Sequence, residues 1–189
     1  PGRPGWVSNP NGTDMSFKVT LINPALVHLS GDPYSSIPFM PTGLLYLAGY
    51  LEKQGIAVSI LDGFGLAPRR LFHIDDQLSG FGLTETEIVE RLEDASLVGI
   101  GVHSGMSHGF VLRLARAIRE RYPDVVLIAG GNHASVVPER FIEGGFDYAC
   151  VFLLGLDGLA PGRWTDEQIR RLAYVGITRA RERLLIPYC

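Results

Sequence analysis

The architecture of this chain can be read from residues 124–150, DVVLIAGGNHASVVPERFIEGGFDYAC. The apolar, β-branched run VVLIA is typical of a strand buried on both faces of a parallel sheet. A glycine pair follows it, and SVVPERFIEGG then predicts a helix that ends at a second glycine pair. FDYAC opens another apolar run, so this stretch predicts a strand, a crossover helix and a second parallel strand.

The same alternation runs through the preceding residues. Further strands are predicted at FKVTLINP (17–24), IAVSILDG (56–63) and LVGIGVHSG (97–105), and further helices at 41–55, 84–95 and 106–121. Thr84 and Glu87 have the spacing of a capping box, whereas residues 64–83 are predicted as a long connection. We therefore predict an α/β fold, a flavodoxin-like or Rossmann-like parallel sheet of five or six strands with helices on both faces.

The composition excludes several classes of protein. The chain has 189 residues, 46% of them hydrophobic, and a net charge of −3, which gives no basic field for nucleic acid. No apolar run reaches the roughly 20 residues that span a bilayer. Cys150 and Cys189 are the two cysteines, so we expect a reduced, cytoplasmic setting and no cysteine-rich metal site. Residues 1–16 are rich in Pro, Gly and Asn, and we expect a disordered leader or a remnant of cloning there.

Residues 17–150 resemble a known family. VTLINP, PTGLLYLAGYLEKQGIAVSILDG, LVGIGVHSG and VVLIAGGNHASVVPERFIEGGFDYAC follow one another as in the cobalamin (B12)-binding domain of B12-dependent radical SAM enzymes. The resemblance implies a flavodoxin-like sheet, cobalamin as the cofactor, and a corrin ring that lies over the carboxyl ends of the strands.

Those strand ends supply the candidate cofactor-binding residues. The glycines let the backbone approach a flat ring closely, while the serine, asparagine and histidine side chains can bond its polar groups. Two alternatives remain: the pair 130–131 makes only a tight turn, and the serine only caps the next helix. The candidates are Asn23, Ser104, Gly105, Gly130, Gly131, Asn132 and His133.

The chain departs from related corrinoid domains at the lower cobalt ligand. Domains that ligate cobalt through histidine carry D-x-H-x-x-G, and the nearest match is LVHLSG (26–31), with Leu26 in place of the aspartate. A ligating imidazole usually needs an oriented partner on its other nitrogen. We therefore predict no metal ligand in the protein, with His28 as the less favoured candidate. No C-x-x-x-C-x-x-C motif occurs, so we expect no iron–sulfur cluster and no radical SAM chemistry.

Residues 151–189 differ in character from the rest. RRLAYVGITRARERL (170–184) resembles motif VI of UvrD/Rep-type superfamily 1 DNA helicases, which implies that Arg179 reaches the γ-phosphate of ATP. The chain has no G-x-x-x-x-G-K-[ST] loop, so we expect no ATP binding. The favoured alternative is an amphipathic helix that follows a capping box at Thr165 and Gln168, and RLLIPY (183–188) could add a sixth strand. The residues expected to face the sheet are Ile169, Leu172, Ala173 and Ile177.

These observations predict a chimera that forms one α/β domain over residues 17–189, with a seam near 149–154. We favour a non-catalytic cobalamin-binding-like domain whose partner is a small corrinoid, and we expect no nucleic-acid or membrane partner. The alternatives are a folded scaffold without a ligand and, less favoured, an ATP- or DNA-contacting helicase fragment. An exposed edge strand could also pair two copies of the chain.

Overall fold

The structure is a computed structural model that describes residues 17–32, residue 38 and residues 40–150. The predicted leader, and the helicase-like segment with Arg179, lie outside the described residues. In chain order the described elements are β1 (Lys18–Asn23), β2 (Leu26–Leu29), α1 (Thr42–Lys53), β3 (Ala57–Asp62), β4 (Leu71–His73), β5 (Leu78–Phe81), α2 (Glu85–Arg91), β6 (Leu97–Gly101), a 3₁₀ turn (Gly105–Ser107), α3 (His108–Arg121), β7 (Val126–Gly130), α4 (Asn132–Val136), α5 (Pro138–Glu143) and β8 (Tyr148–Cys150).

The main sheet has five strands in the order β3-β1-β6-β7-β8, and every neighbouring pair is parallel. β6 is therefore the central strand, and the strand order reverses direction at β1, next to the edge strand β3. This is the flavodoxin-like arrangement, so the predicted fold class is confirmed. The predicted sixth strand lies outside the described part of the chain.

Alternate side chains of the inner strands pack into two cores on opposite faces of the sheet. One core joins β1, β6 and β7 to α2, α3 and α5 through Ile22, Ile100, Leu127, Ile88, Phe110, Leu114 and Phe141. The other joins β1 to α1 through Val19, Leu21 and Ala48. A parallel sheet buries both faces in this way because its crossover helices lie on them.

The predicted helices form, with corrections at their ends. The side chain of Thr84 accepts a bond from the N–H of Glu87, and the Glu87 side chain bonds back to the Thr84 N–H, which confirms the capping box. The helix predicted from residue 106 begins at His108, after the 3₁₀ turn. The single helix predicted over 135–145 is wrong, because α4 and α5 are separate. Pro138 has no N–H to continue α4 and disfavours helical backbone at Val137.

The largest error of the prediction lies in residues 64–83. β4 and β5 lie in this stretch and pair antiparallel with β2 to form a second, three-stranded sheet in the order β2-β5-β4. Its inner face carries Val27, Phe72 and Leu78, which pack into the larger core. Within the described residues, no helix is long and apolar enough to cross a membrane.

Candidate functional site

A cleft opens at the carboxyl edge of the main sheet, where the predicted site residues lie. It has a volume of about 430 Å³ and joins the start of α1 to the loops that follow β6 and β7. Ligands of open parallel sheets bind at this edge, beside the point where the strand order reverses. The lining residues are Met40, Pro41, Thr42, Gly43, His103 and Asn132.

The turn after β7 lies at this edge, and its backbone strongly favours glycine at residue 131. Gly131 has φ of +108°, and a Cβ there would lie 2.7 Å from the carbonyl oxygen of Val102. The turn is fixed to the neighbouring loop, since the N–H of Val102 donates to the Gly130 carbonyl and the N–H of His133 donates to the Val102 carbonyl. The predicted tight turn is therefore present, and it places Asn132 at the cleft.

Ser104 and Gly105 follow β6 on the next loop. The Ser104 hydroxyl accepts a bond from the N–H of Met106 at 3.2 Å, so it caps the 3₁₀ turn as the alternative reading proposed. A hydroxyl that accepts one bond can still donate another. A Cβ at Gly105 would lie 3.5 Å from the His133 ring, an ordinary contact that does not by itself require glycine. Neither residue is among those that line the cleft, so their predicted contact with a cofactor remains a prediction.

His133 lies behind the cleft in an aromatic cluster. Its Nε2 is 3.2 Å from Nδ1 of His108, and both rings pack edge-on against the fully buried Phe141. Burial lowers the pKa of His133, and the neighbouring His108 lowers it further. Burial also lowers the pKa of His108, with a smaller contribution from the charge of Arg140. The pair therefore favours the neutral state, in which one imidazole donates to the other.

Asn23 is placed within the sheet edge rather than in the cleft. It is 5% exposed, and its amide donates to a carboxylate oxygen of Asp62 at 2.8 Å. The same oxygen accepts the N–H of Gly65. Asn23 thus ties the ends of β1 and β3 together, and its predicted contact with a cofactor remains a prediction.

His28 lies in β2, which packs against the 3₁₀ turn beside the site. Its ring stacks on Phe81 with centroids 5.0 Å apart, and its Nδ1 is 2.9 Å from the Leu29 carbonyl oxygen. Because a carbonyl can only accept, Nδ1 is the donor in this contact, and in the neutral imidazole Nε2 would then carry a lone pair. Nε2 is buried and has no hydrogen-bond partner among the described residues. No described group of three His, Cys, Asp or Glu side chains is placed to hold a metal ion.

Several residues of the cleft were missed by the prediction. Met40, Thr42 and Gly43 enter through the start of α1, and His103 enters from the loop after β6. Pro41 in the sequence marked the start of a helix, but the prediction did not use the fact that this start faces the strand ends. A larger groove of about 580 Å³ lies at the opposite edge, near Lys18 and Asp124. We assign the site to the carboxyl edge, because ligands of such sheets bind there.

Comparisons with known proteins identify the family of this chain. Residues 38–153 match the family described as the B12 binding domain. The chain is 31% identical over 172 residues to cytidylyl-2-hydroxyethylphosphonate methyltransferase of Streptomyces wedmorensis, covering 83% of this chain and 31% of that protein. It is 33% identical over 121 residues to anaerobic magnesium-protoporphyrin IX monomethyl ester cyclase of Synechocystis sp., covering 61% of this chain and 20% of that protein.

The chain therefore spans about a third and about a fifth of the length of these two relatives. Among solved structures, the response regulator TrrA of Thermotoga maritima, in complex with Mg²⁺ and BeF, superposes with a TM-score of 0.44 at 14% identity. That superposition covers 82% of this chain and 98% of the regulator.

The expectation that the chain is not an enzyme is wrong. Both relatives are named as enzymes, a methyltransferase and a cyclase. The expectation rested on two motifs missing from this chain, the radical SAM cysteines and the phosphate-binding loop. Those motifs bear on two particular chemistries, and their absence does not separate the chain from enzymes that share its B12-binding part.

Proposed function

This chain belongs to the B12-binding domain family, and on that premise we propose that it is the corrinoid-binding part of an enzyme. The corrin ring would lie over the carboxyl ends of β1, β6 and β7. The observation that carries this proposal is the cleft of about 430 Å³ at that edge, bordered by the glycine turn after β7. This volume falls within the roughly 300–1,000 Å³ usual for small-molecule sites.

The residues at this edge fit such a cofactor. Gly43 has open space in front of it, since a Cβ there would meet no atom of the described residues within 4 Å. Thr42, His103 and Asn132 place a hydroxyl, an imidazole and an amide around the same cleft. We assign to them the hydrogen bonds to the polar edge of the corrinoid. The cofactor carries the reactive chemistry when bound, and the protein supplies binding and orientation.

Two glycines of α1 provide a matched test of the cleft. Gly43 lines it and Gly49 does not, yet a Cβ at either position would meet no atom within 4 Å. Gly43→Leu should fill the cleft and weaken hydroxocobalamin binding at least about tenfold, a loss of roughly 1.4 kcal/mol of binding free energy. Gly49→Leu should leave the affinity unchanged. Neither change should lower the melting temperature, because leucine favours helix over glycine.

The measurement is absorbance of the retained corrinoid after desalting, combined with titration of both variants. Equal affinity of the two variants would refute the assigned cleft. An unsubstituted chain that keeps no red chromophore, and whose melting temperature hydroxocobalamin does not raise, would support a scaffold without a ligand. A melting temperature raised by ATP or DNA instead would support the helicase-fragment alternative.

We further propose that no protein side chain ligates the cobalt. Nε2 of His28, the imidazole nitrogen that the sequence motif would assign to the cobalt, is buried beneath neighbouring atoms and is not among those that line the cleft. The electron paramagnetic resonance spectrum of bound cob(II)alamin should therefore show no hyperfine coupling to a histidine nitrogen. His28→Phe, which keeps the stack on Phe81, should leave that spectrum unchanged. Loss of a nitrogen coupling in this variant would identify His28 as the ligand.

The reaction of the whole enzyme can be proposed from the names of its relatives. The relatives are a phosphonate methyltransferase and a protoporphyrin ester cyclase by name, so we propose methyl transfer or ring formation on an organic substrate. The iron–sulfur cluster of radical SAM chemistry would have to come from cysteines beyond the two in these 189 residues.

We also propose that the chain is a chimera whose helicase-like part follows the B12-binding part. The family match ends at residue 153, inside the 149–154 range where the sequence changes character. Full-length B12-binding homologues aligned through this point provide the test. A homologue that continues with RRLAYVGITRARERL would contradict the chimera.

A further inference from the structure

The carboxyl edge of the main sheet carries almost no formal charge. The stretches that contain the ends of β1, β6 and β7 and the start of α1 are 19–31, 95–112, 125–138 and 33–51, and none of them contains Asp, Glu, Lys or Arg. About a quarter of the residues in an ordinary soluble domain are charged, so this neutrality is a marked departure. Every described residue that lines the cleft belongs to these stretches.

The charged groups that border this edge form contacts of their own. The carboxylate of Asp62, at the end of β3, accepts the amide of Asn23 at 2.8 Å. Arg140, whose charge lowers the pKa of His108, forms an ion pair with Glu143 at 3.7 Å. Neither Asp62 nor Arg140 is among the described residues that line the cleft. The groove at the opposite edge of the sheet is different, because its lining includes the charged residues Lys18, Asp94, Arg121 and Asp124.

His103 is the titratable side chain among the described lining residues, and it favours the neutral state near pH 7. Its ring lies over the end of β6, because a Cβ at Gly101 would be 3.5 Å from Nε2 of His103. Partial burial lowers the pKa of His103 from its ordinary value of 6.5. A neutral imidazole can donate one hydrogen bond and accept another, as can the hydroxyl of Thr42 and the amide of Asn132. These three groups therefore match a primary amide, which also donates and accepts.

We propose that this edge selects corrinoids whose peripheral side chains are neutral amides and rejects those that present a free carboxylate to the cleft. The inference rests on the proposed function and specifies which corrinoids the site admits. An ionised carboxylate that enters the cleft loses water and meets no positive charge among the described lining residues, so it binds poorly. A primary amide of the same size pairs with the hydroxyl, imidazole and amide groups there, and it has no charge to desolvate.

The test compares hydroxocobalamin with its monocarboxylates, in which one peripheral propionamide has been hydrolysed to a propionate. These ligands share the corrin ring, the cobalt and the nucleotide tail, so they differ only in one amide. In titrations of the full chain near neutral pH, at least one monocarboxylate should bind at least about tenfold more weakly than hydroxocobalamin. Conversion of that carboxylate to its N-methylamide should restore most of the affinity, because the charge is removed and the side chain is kept.

Two lysine variants of α1 separate the charge of the cleft from the charge of the whole protein. Thr42 is exposed and lines the cleft, whereas Tyr50 is 62% exposed two turns further along the helix and does not line it. Thr42→Lys should reduce the preference for the amide over the carboxylate about fivefold, because an ammonium group can pair with the carboxylate. Tyr50→Lys adds the same charge beyond the cleft and should leave the preference unchanged.

Equal affinity of the unsubstituted chain for hydroxocobalamin and for every monocarboxylate would overturn the inference and leave the proposed function intact. This comparison needs no variant, so it holds whether or not the lysine variants fold. An equal change of preference in both lysine variants would also overturn it, because the selectivity would then not come from the cleft. A chain that binds none of these corrinoids would refute the proposed function, and the inference with it.

Discussion

Gly131 and Gly145 show how two glycines with similar backbones differ in what they allow. Both have positive φ, +108° and +100°, but only Gly131 has a backbone atom close to where a Cβ would lie. Gly145→Ala should cost about 1 kcal/mol through backbone strain alone. Gly131→Ala adds a clash with the Val102 carbonyl and should cost about 3 kcal/mol.

Urea unfolding of the two variants measures this difference directly. Gly131→Ala should also weaken corrinoid binding, because the turn positions Asn132 at the cleft. Equal loss of stability in the two variants would show that the Val102 carbonyl moves aside at no cost.

The same residues show what a sequence can reveal at this scale. The glycine pair after an apolar strand predicts a tight turn, because glycine is the residue that tolerates positive φ. The contact that makes residue 131 irreplaceable comes from Val102, which is 29 positions away and adjacent only in the folded sheet. The contact between His133 and His108 was hidden for the same reason. Local chemistry is visible in the sequence, whereas partners across the fold are not.

At the scale of elements, one carboxylate in the first turn of α2 takes part in two stabilising interactions that can be measured separately. Glu87 closes the capping box with Thr84 and also forms an ion pair with Arg70. Glu87→Gln keeps an acceptor for the Thr84 N–H but removes the charge, so it should cost little and its effect should vanish in high salt. Thr84→Ala removes the cap and should cost about 1 kcal/mol at any salt concentration.

Urea midpoints in low and high salt distinguish the two interactions. If the loss of stability depended equally on salt in both variants, the cap would be electrostatic in origin rather than a hydrogen bond.

The elements also show where periodicity fails as a guide. α2 was predicted because a capping box and an apolar face coincide within a few residues. β4 has three residues and β5 has four, too short for an alternating pattern to be distinguished from a loop. Gly80 hides the strand further, since its missing side chain makes room for the Phe72 ring. These strands exist because Val27, Phe72 and Leu78 are buried together, which is a tertiary effect.

Over the whole molecule, the fold was predictable and the cleft only in part. Five alternating strands and crossovers determine a parallel sheet, and right-handed crossovers leave few possible orders. The edge at which ligands of such sheets usually bind follows from that order. The identity of the residues that line the cleft does not follow from the strand order. Thr42 and Gly43 line the cleft because of how α1 packs over β1 and β3. The site thus depends on packing that no single stretch of sequence encodes.

The acid response of the molecule should reflect two separate sets of groups. The pKa values of His103, His108 and His133 are lowered by burial from an ordinary value of 6.5, so the unfolded chain binds protons more readily than the native state. The histidines therefore make their full contribution to the free energy of unfolding above pH 6.5, and this contribution is lost as the pH falls below 6.5. The Glu87 pKa is lowered to about 2 from 4.5, mainly by the bond from Arg70, so its contribution is present above pH 4.5 and is lost as the pH falls toward 2.

Urea unfolding at a series of pH values resolves these two windows. The double variant His108→Gln and His133→Gln should make the upper window shallower, because glutamine can replace the hydrogen bond without titrating, and should leave the lower one unchanged. The part of the upper window that remains belongs to His103. Glu87→Gln should make the lower window shallower and leave the upper one unchanged, and the part of the lower window that remains belongs to Asp147, whose pKa is also lowered. If the double variant lost stability between pH 6.5 and 5 as steeply as the unsubstituted chain, the acid sensitivity would come from other groups and the neutral histidine pair would not be a feature of the folded protein.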